Sequence, residues 1–257
     1  MPEPGQSHPD LEEPAGELAP EAGPERERYA AQLRDTLPGV LDRIERAAKR
    51  SGRSDEVRIV AVTKGHGPGA VLAAASAGLM DCGENRVSEL ASKQQLLGRV
   101  VRWHLIGHLQ RNKVRQAMPL FDCIHSVDSL RLAVELSQEA GRGGRDVEAL
   151  VQVNVSGEQA KGGLEPDQAL ETIVEITNLP RLHVRGLMTM APFTEDEAVL
   201  RRTFRATRDL FEACARAVPR FDARHLSMGM SNDFEVAVEE GSTIVRLGTV
   251  LFGERRP

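Results

Sequence analysis

Aromatic residues make up only 4% of this 257-residue chain, with a single Trp and a single Tyr. Its core must therefore be built from Leu, Val, Ile and Ala, which favours an alternating β/α architecture over a sandwich. Cysteine is scarce too: Cys82, Cys123 and Cys214 are an odd number with no Cys-x-x-Cys pair. That argues against a disulfide framework or a structural zinc site and sets the expectation of a reducing cytoplasm. No apolar run approaches the roughly 20 residues that cross a bilayer, so no membrane partner is expected. No Gly-x-Gly-x-x-Gly follows the first strand-like run, and there is no Gly-x-x-x-x-Gly-Lys-Ser/Thr loop. A dinucleotide-binding sheet and a nucleotide P-loop are both unsupported.

Charge is unevenly spread. The net charge is −5, yet residues 1–28 hold Glu3, Asp10, Glu12, Glu13, Glu17, Glu21, Glu25 and Glu27 against Arg26 and Arg28. The remainder is close to neutral, so no basic face of the kind that binds nucleic acid is expected. The same segment carries six of the fourteen prolines and few large apolar residues. Residues 1–28 are therefore expected to be a disordered acidic tail, because they cannot bury enough surface to offset ordering entropy. The acidic, Pro-rich start is the opposite of a signal peptide.

From Tyr29 the pattern changes, and residues 29–257 read as one domain. Leu33, Leu37, Leu41, Ile44 and Ala48 recur at helical spacing and predict a helix over 30–50, with Pro38 as a kink or a break. Strand-like apolar runs follow at Val57–Thr63, Leu79–Gly83, Val101–Gly107, Cys123–Val127, Ala149–Val155, Leu182–Met188, His225–Met230 and Thr243–Phe252. Helix-length segments separate them, most clearly Glu165–Asn178 and Thr194–Ala217. Eight β/α units in a chain of this length predict a single (β/α)8 TIM barrel, preceded by an extra N-terminal helix.

In such a barrel the chemistry sits at the C-terminal ends of the strands. Lys64 ends the first, in Val-Ala-Val-Thr-Lys. An amine emerging from a buried wall loses its proton more easily and becomes a candidate Schiff-base lysine; the plainer reading is a lysine that snorkels from a strand end. Gly83-Glu84-Asn85-Arg86 ends the second, where Asn85 is either a ligand contact or a helix N-cap. In Trp103-His104-Leu105, His104 points away from its neighbours, and a buried, hydrogen-bonded ring is the expectation. A metal site from His104, His108 and His125 is demanded by no spacing. Ser227-Met228-Gly229-Met230-Ser231 and Arg246-Leu247-Gly248-Thr249 fall where barrel phosphate sites occur. Arg246 lies in an apolar setting, so its charge needs a ligand or a carboxylate. Lys161-Gly162-Gly163 reads as a flexible basic loop near the mouth, with a secondary contact for an incoming phosphate or aldehyde as the sharper alternative.

Taken in order, Val-Ala-Val-Thr-Lys64, Gly83-Glu84-Asn85, Trp103-His104…Gln110-Arg111-Asn112-Lys113, Arg185-Gly186-Leu187-Met188, Ser227…Asp233 and Val245-Arg246-Leu247-Gly248-Thr249 resemble the pyridoxal phosphate homeostasis protein family, over about residues 30–254. The resemblance implies the fold of the alanine racemase N-terminal domain, a fold-type III barrel that binds pyridoxal 5′-phosphate (PLP). It implies Lys64 as the Schiff-base lysine and phosphate contacts from Ser227 or Ser231, Gly229, Gly248 and Thr249. It places Arg246 at the pyridine nitrogen and Asn85 near the ring, with Met228 and Met230 either beside it or, equally, in the core. Many relatives carry a second lysine two positions after the first; here that position is His66, so no role for that lysine carries over.

An Arg at the pyridine nitrogen keeps that nitrogen unprotonated and makes the ring a weaker electron sink. Racemisation also needs a second acid/base, supplied in racemases by a tyrosine of a C-terminal β domain. A chain ending at Pro257 is not expected to carry that domain, and Tyr29 falls at the tail boundary. The expected function is a non-enzymatic, monomeric PLP binder in vitamin B6 homeostasis, with apo PLP-dependent enzymes as recipients. A weak PLP enzyme acting on amino acids is the alternative, and a PLP-free Schiff-base aldolase a third reading.

Overall fold

A computed structural model describes residues 22–158 and 162–254. Helix α1 spans Ala22–Arg50. It is followed by β1 (Arg58–Val62), α2 (Pro68–Ser76), β2 (Asp81–Glu84), α3 (Val87–Leu97), β3 (Arg102–Leu105), α4 (Val114–Ala117) and β4 (Cys123–Val127). Then come α5 (Leu130–Gly143), β5 (Val147–Gln152), α6 (Pro166–Thr177), β6 (Leu182–Met188), α7 (Glu197–Ala217), β7 (His225–Ser227), α8 (Phe234–Glu239), β8 (Ile244–Leu247) and α9 (Thr249–Phe252). Every strand pairs in parallel with its successor, and β8 closes on β1. This is the expected eight-stranded TIM barrel.

The strands are up to three residues shorter or shifted relative to the expected runs, as where β7 ends at Ser227 rather than Met230, and two larger differences stand out. Helix α1 begins at Ala22 rather than near residue 30 and runs through Pro38 without a break. Residues 22–28, expected in the tail, are thus helical; residues 1–21 lie outside the described ones. Packing explains the single helix: Tyr29, Leu33, Val40, Ile44 and Ala47 form a buried stripe at helical spacing, and α1 lies against α2, α8 and α9. That burial outweighs the one backbone hydrogen bond Pro38 cannot donate. The last strand-like run, Thr243–Phe252, divides into β8 and the short α9 at Gly248.

The main core lies between strands and helices, with Trp103, Phe121, Phe204 and Phe234 fully buried. Inside the barrel Cys123, Leu150 and Met188 form a small separate apolar cluster. Ser129 caps α5 by accepting from Leu132 N, and Asp196 caps α7 by accepting from Ala198 N. Between β5 and β6 the register skips Arg185, so that Ala149 faces Val184 and Leu150 faces Gly186. Gly186 allows the skip because its φ is 150° and a Cβ there would lie 1.7 Å from the His225 carbonyl oxygen. Among the described residues, no helix is long and apolar enough to cross a membrane.

Candidate functional site

A cavity of about 470 Å³ opens at the C-terminal ends of the strands. Its wall brings together Lys64, Asn85, Ser231, Arg246, Gly248 and Thr249, six of the residues singled out in the sequence. Lys64 follows β1, Asn85 follows β2, Ser231 lies in the loop after β7, and Gly248 and Thr249 follow β8. The apolar side is made by Ile106, Met190 and Met230. Asn85 is not a helix cap: the residue preceding α3 is Arg86.

The backbone around Lys64 is pinned on both sides. Thr63 Oγ1 donates to Glu84 Oε1 at 2.6 Å, and the Thr63 carbonyl accepts from Lys93 Nζ at 2.7 Å. Gly65 N donates to Glu89 Oε1 at 2.6 Å. Two residues on, His66 Nδ1 lies 2.7 Å from the Tyr29 hydroxyl in a buried pair against Phe252. Lys93, Glu89 and Tyr29 are contributions that sequence reasoning missed. The Glu89/Lys93 spacing of four on α3 was the one local signal that the two act together.

Arg246 is buried at the cavity wall. One Nη donates to the Ser227 carbonyl at 2.9 Å and to Ser227 Oγ at 2.7 Å, and the other to the Thr189 carbonyl at 2.9 Å. Burial lowers its pKa to about 10, with Asp233 opposing the shift, so it stays charged at neutral pH. Among the described residues no acceptor meets its Nε–H.

Two of the residues expected near a phosphate sit off this wall. Ser227 and Gly229 do not line the cavity. Ser227 is fully buried within β7 and holds Arg246 instead. Gly229 sits behind the wall at φ 92°, where a Cβ would come within 2.6 Å of Ala237 Cβ, and its carbonyl accepts from Arg246 N. Met228 is likewise core, whereas Met230 lines the cavity. The loops carrying Ser231 and Gly248 are joined by Val250 N donating to Ser231 Oγ at 3.3 Å. The backbone N–H groups of Ser231, Asn232, Gly248 and Thr249 donate to no backbone acceptor among the described residues. N–H groups left over in this way, beside two hydroxyls, suit an oxyanion such as a phosphate. The donor set therefore fits a ligand with an anionic group at one end, an acceptor facing Arg246 and a carbonyl within reach of Lys64.

His104 is buried and hydrogen-bonded, as expected, while His108 is exposed and lies 2.8 Å from Asp128. His104, His108 and His125 are thus not gathered into a metal site. Lys161 lies outside the described residues.

A sequence profile of the alanine racemase N-terminal domain matches residues 39–256. The pyridoxal phosphate homeostasis protein of Aquifex aeolicus is 41% identical over 228 residues, which is 86% of this chain and 98% of that one. The chain belongs to the pyridoxal phosphate homeostasis protein family. Among solved structures, PipY of Synechococcus elongatus, a COG0325 family member solved with PLP bound, is 38% identical, with a TM-score of 0.73 over 82% of this chain and 100% of that one. An alanine racemase of Clostridium difficile superposes with a TM-score of 0.70 at 16% identity over 86% of this chain, a likeness of fold alone.

Proposed function

We propose that this chain binds PLP covalently through Lys64 and acts in PLP homeostasis without turning over a substrate. The observation that carries this is the convergence of an amine, a buried guanidinium and a set of spare backbone N–H groups on one cavity. PLP, when bound, supplies an aldehyde that condenses reversibly with an amine, and a reversible link suits storage and release. Lys64 provides the amine. Ser231, Thr249 and the N–H groups of Asn232, Gly248 and Thr249 hold the phosphate. Arg246 directs an N–H at the pyridine nitrogen and, being charged at neutral pH, leaves no proton on it. Asn85 meets the ring from the β2 side.

The same arrangement disfavours turnover. Among the described residues, the cavity wall holds no Tyr, His or Cys to act opposite Lys64, and Tyr29 bonds His66 instead. In this reading the chain is a cytoplasmic monomer, and its recipients are apo PLP-dependent enzymes. The amino-acid enzyme is the alternative, tested by exchange of the Cα hydrogen of alanine in deuterium oxide: robust exchange overturns the storage reading.

The test of the binding itself is a titration with PLP. We expect an absorbance band at about 420 nm, typical of a conjugated imine, with borohydride trapping the label on the Lys64 peptide. Labelling that persists in Lys64→Ala overturns the assignment.

A further inference from the structure

Below the cavity, a line of polar side chains crosses the interior of the barrel. Arg246 Nη donates to Ser227 Oγ at 2.7 Å, Ser227 Oγ lies 3.1 Å from His125 Nδ1, His125 Nε2 lies 2.9 Å from His104 Nδ1, and His104 Nε2 lies 2.7 Å from Asp81 Oδ1. The residues come from β8, β7, β4, β3 and β2. The chain begins under the ligand cavity and ends at the first residue of β2, on the opposite face of the barrel. We propose that Asp81, His104, His125 and Ser227 are positioning residues that fix the Arg246 guanidinium through one hydrogen-bonded chain whose hydrogens all point from Arg246 to Asp81. Their role toward the cofactor rests on the PLP reading above.

The direction follows from counting hydrogens. Arg246 can only donate, so Ser227 Oγ accepts from it. The hydroxyl has one hydrogen of its own, and the acceptor at hand is His125 Nδ1. That nitrogen must carry the lone pair, which places the ring hydrogen on Nε2. His125 Nε2–H then donates to His104 Nδ1, and His104 Nε2–H donates to the Asp81 carboxylate. Both rings are neutral Nε2–H tautomers, and every donor meets an acceptor. The reverse order fails at Ser227: with the hydrogen on His125 Nδ1, the hydroxyl would face two donors and its own hydrogen would meet no acceptor among the described residues in a fully buried place. Burial, with the positive groups around it, holds the His125 pKa well below the ordinary range, as the neutral ring requires.

The chain does two things for Arg246. It occupies both hydrogens of one Nη, on Ser227 Oγ and the Ser227 carbonyl, so the guanidinium plane is fixed, and its Nε–H meets no acceptor among the described residues. It also connects a buried cation to the nearest carboxylate on the line, and aligned hydrogen bonds polarise one another. The two rings and the Cys123 thiol place their ligand atoms within 4.8 Å of one another. They do not make a metal site on this assignment: each ring's lone pair is engaged in the chain, and burial keeps the Cys123 thiol protonated.

The test has two parts. Nitrogen NMR of histidine-labelled protein, without PLP, is expected to report lone-pair Nδ1 and protonated Nε2 on both His104 and His125. A hydrogen on His125 Nδ1 overturns the chain. In PLP titrations, Asp81→Asn and Ser227→Ala, each checked for a cooperative melt, are expected to weaken uptake by about threefold to tenfold and displace the visible band. Because Ser227→Ala already cuts the chain, adding Asp81→Asn to it is expected to change nothing further, whereas independent distant sites would multiply their effects. Multiplying losses, or an Asp81→Asn protein with wild-type affinity and spectrum, overturn the proposal. A wild-type protein that takes up no PLP instead overturns the binding reading on which the cofactor role depends, and the NMR result still decides the chain.

Discussion

Lys93 Nζ lies 2.6 Å from Glu84 Oε1, with only 5% and 0% of the two side chains exposed. Lys93 also donates to the Thr63 carbonyl and to Glu89 Oε1, and Glu89 Oε1 in turn accepts from Gly65 N. One ammonium group therefore holds both residues that flank Lys64. The second Glu84 oxygen is buried with no partner among the described residues, so the pair has little reserve if one member is lost.

Lys93→Met should therefore destabilise the fold by about 3–5 kcal/mol, the usual cost of leaving a buried charge without its partner. Urea unfolding followed by circular dichroism measures it. Pairing the change with Glu84→Leu should recover part of the loss, since the stranded carboxylate is gone. A Lys93→Met protein as stable as wild type would show that the ion pair is dispensable.

Thr249→Val and Ser231→Ala each remove a hydroxyl beside the spare N–H groups of the β7 and β8 loops. Each should weaken binding of PLP about tenfold or more, the scale of a hydrogen bond to a charged group, and leave binding of pyridoxal, which lacks the phosphate, nearly unchanged. Equal losses for both ligands would place the phosphate elsewhere.

Gly186→Ala brings a Cβ against the His225 carbonyl at a φ of 150°. Backbone cannot yield as a side chain tip can, and a loss above about 4 kcal/mol or failure to fold is expected. Gly141 in α5 is the contrast, since a methyl group added there would meet nothing within 4 Å. Gly141→Ala should raise stability by about 0.5–1 kcal/mol. Comparing the two melting curves separates backbone crowding from helix propensity.

Burial, reinforced by Arg58, lowers the His225 pKa from 6.5 to about 4. The unfolded chain then binds the proton more tightly, so stability falls as pH drops from about 6.5 towards 4. With allowance for a partly solvated ring, the loss at pH 5 is about 1–2 kcal/mol. His225→Gln should flatten this part of the stability–pH curve. An unchanged slope between pH 6.5 and 4 would assign the acid sensitivity to other groups.

The barrel was legible because its signals are local. Each strand-like run and each helical stripe declares itself within about ten residues, and eight alternations leave few alternatives to closure. The strand-end rule then selected Lys64, Asn85, Gly248 and Thr249, and the cavity gathers all of them. The start of α1 was less legible, because Ala22 to Arg28 looks like tail until α2 is present to pack against.

Ser227 and Ser231 show where sequence stops. They stand four apart in one motif, and both suited a phosphate. Only the point at which β7 ends turns the first into the barrel interior, as a support for Arg246, and leaves the second on the cavity wall. Tyr29 with His66, Lys93 with Thr63, and His125 with Ser227 are pairs 37, 30 and 102 residues apart. By itself the sequence determined the period of each element and the residues at its ends, since those follow from neighbours along the chain. The tertiary structure alone decided which side chains meet across the barrel. Those meetings depend on strand register and closure, and a shift of one residue turns a side chain to the other face.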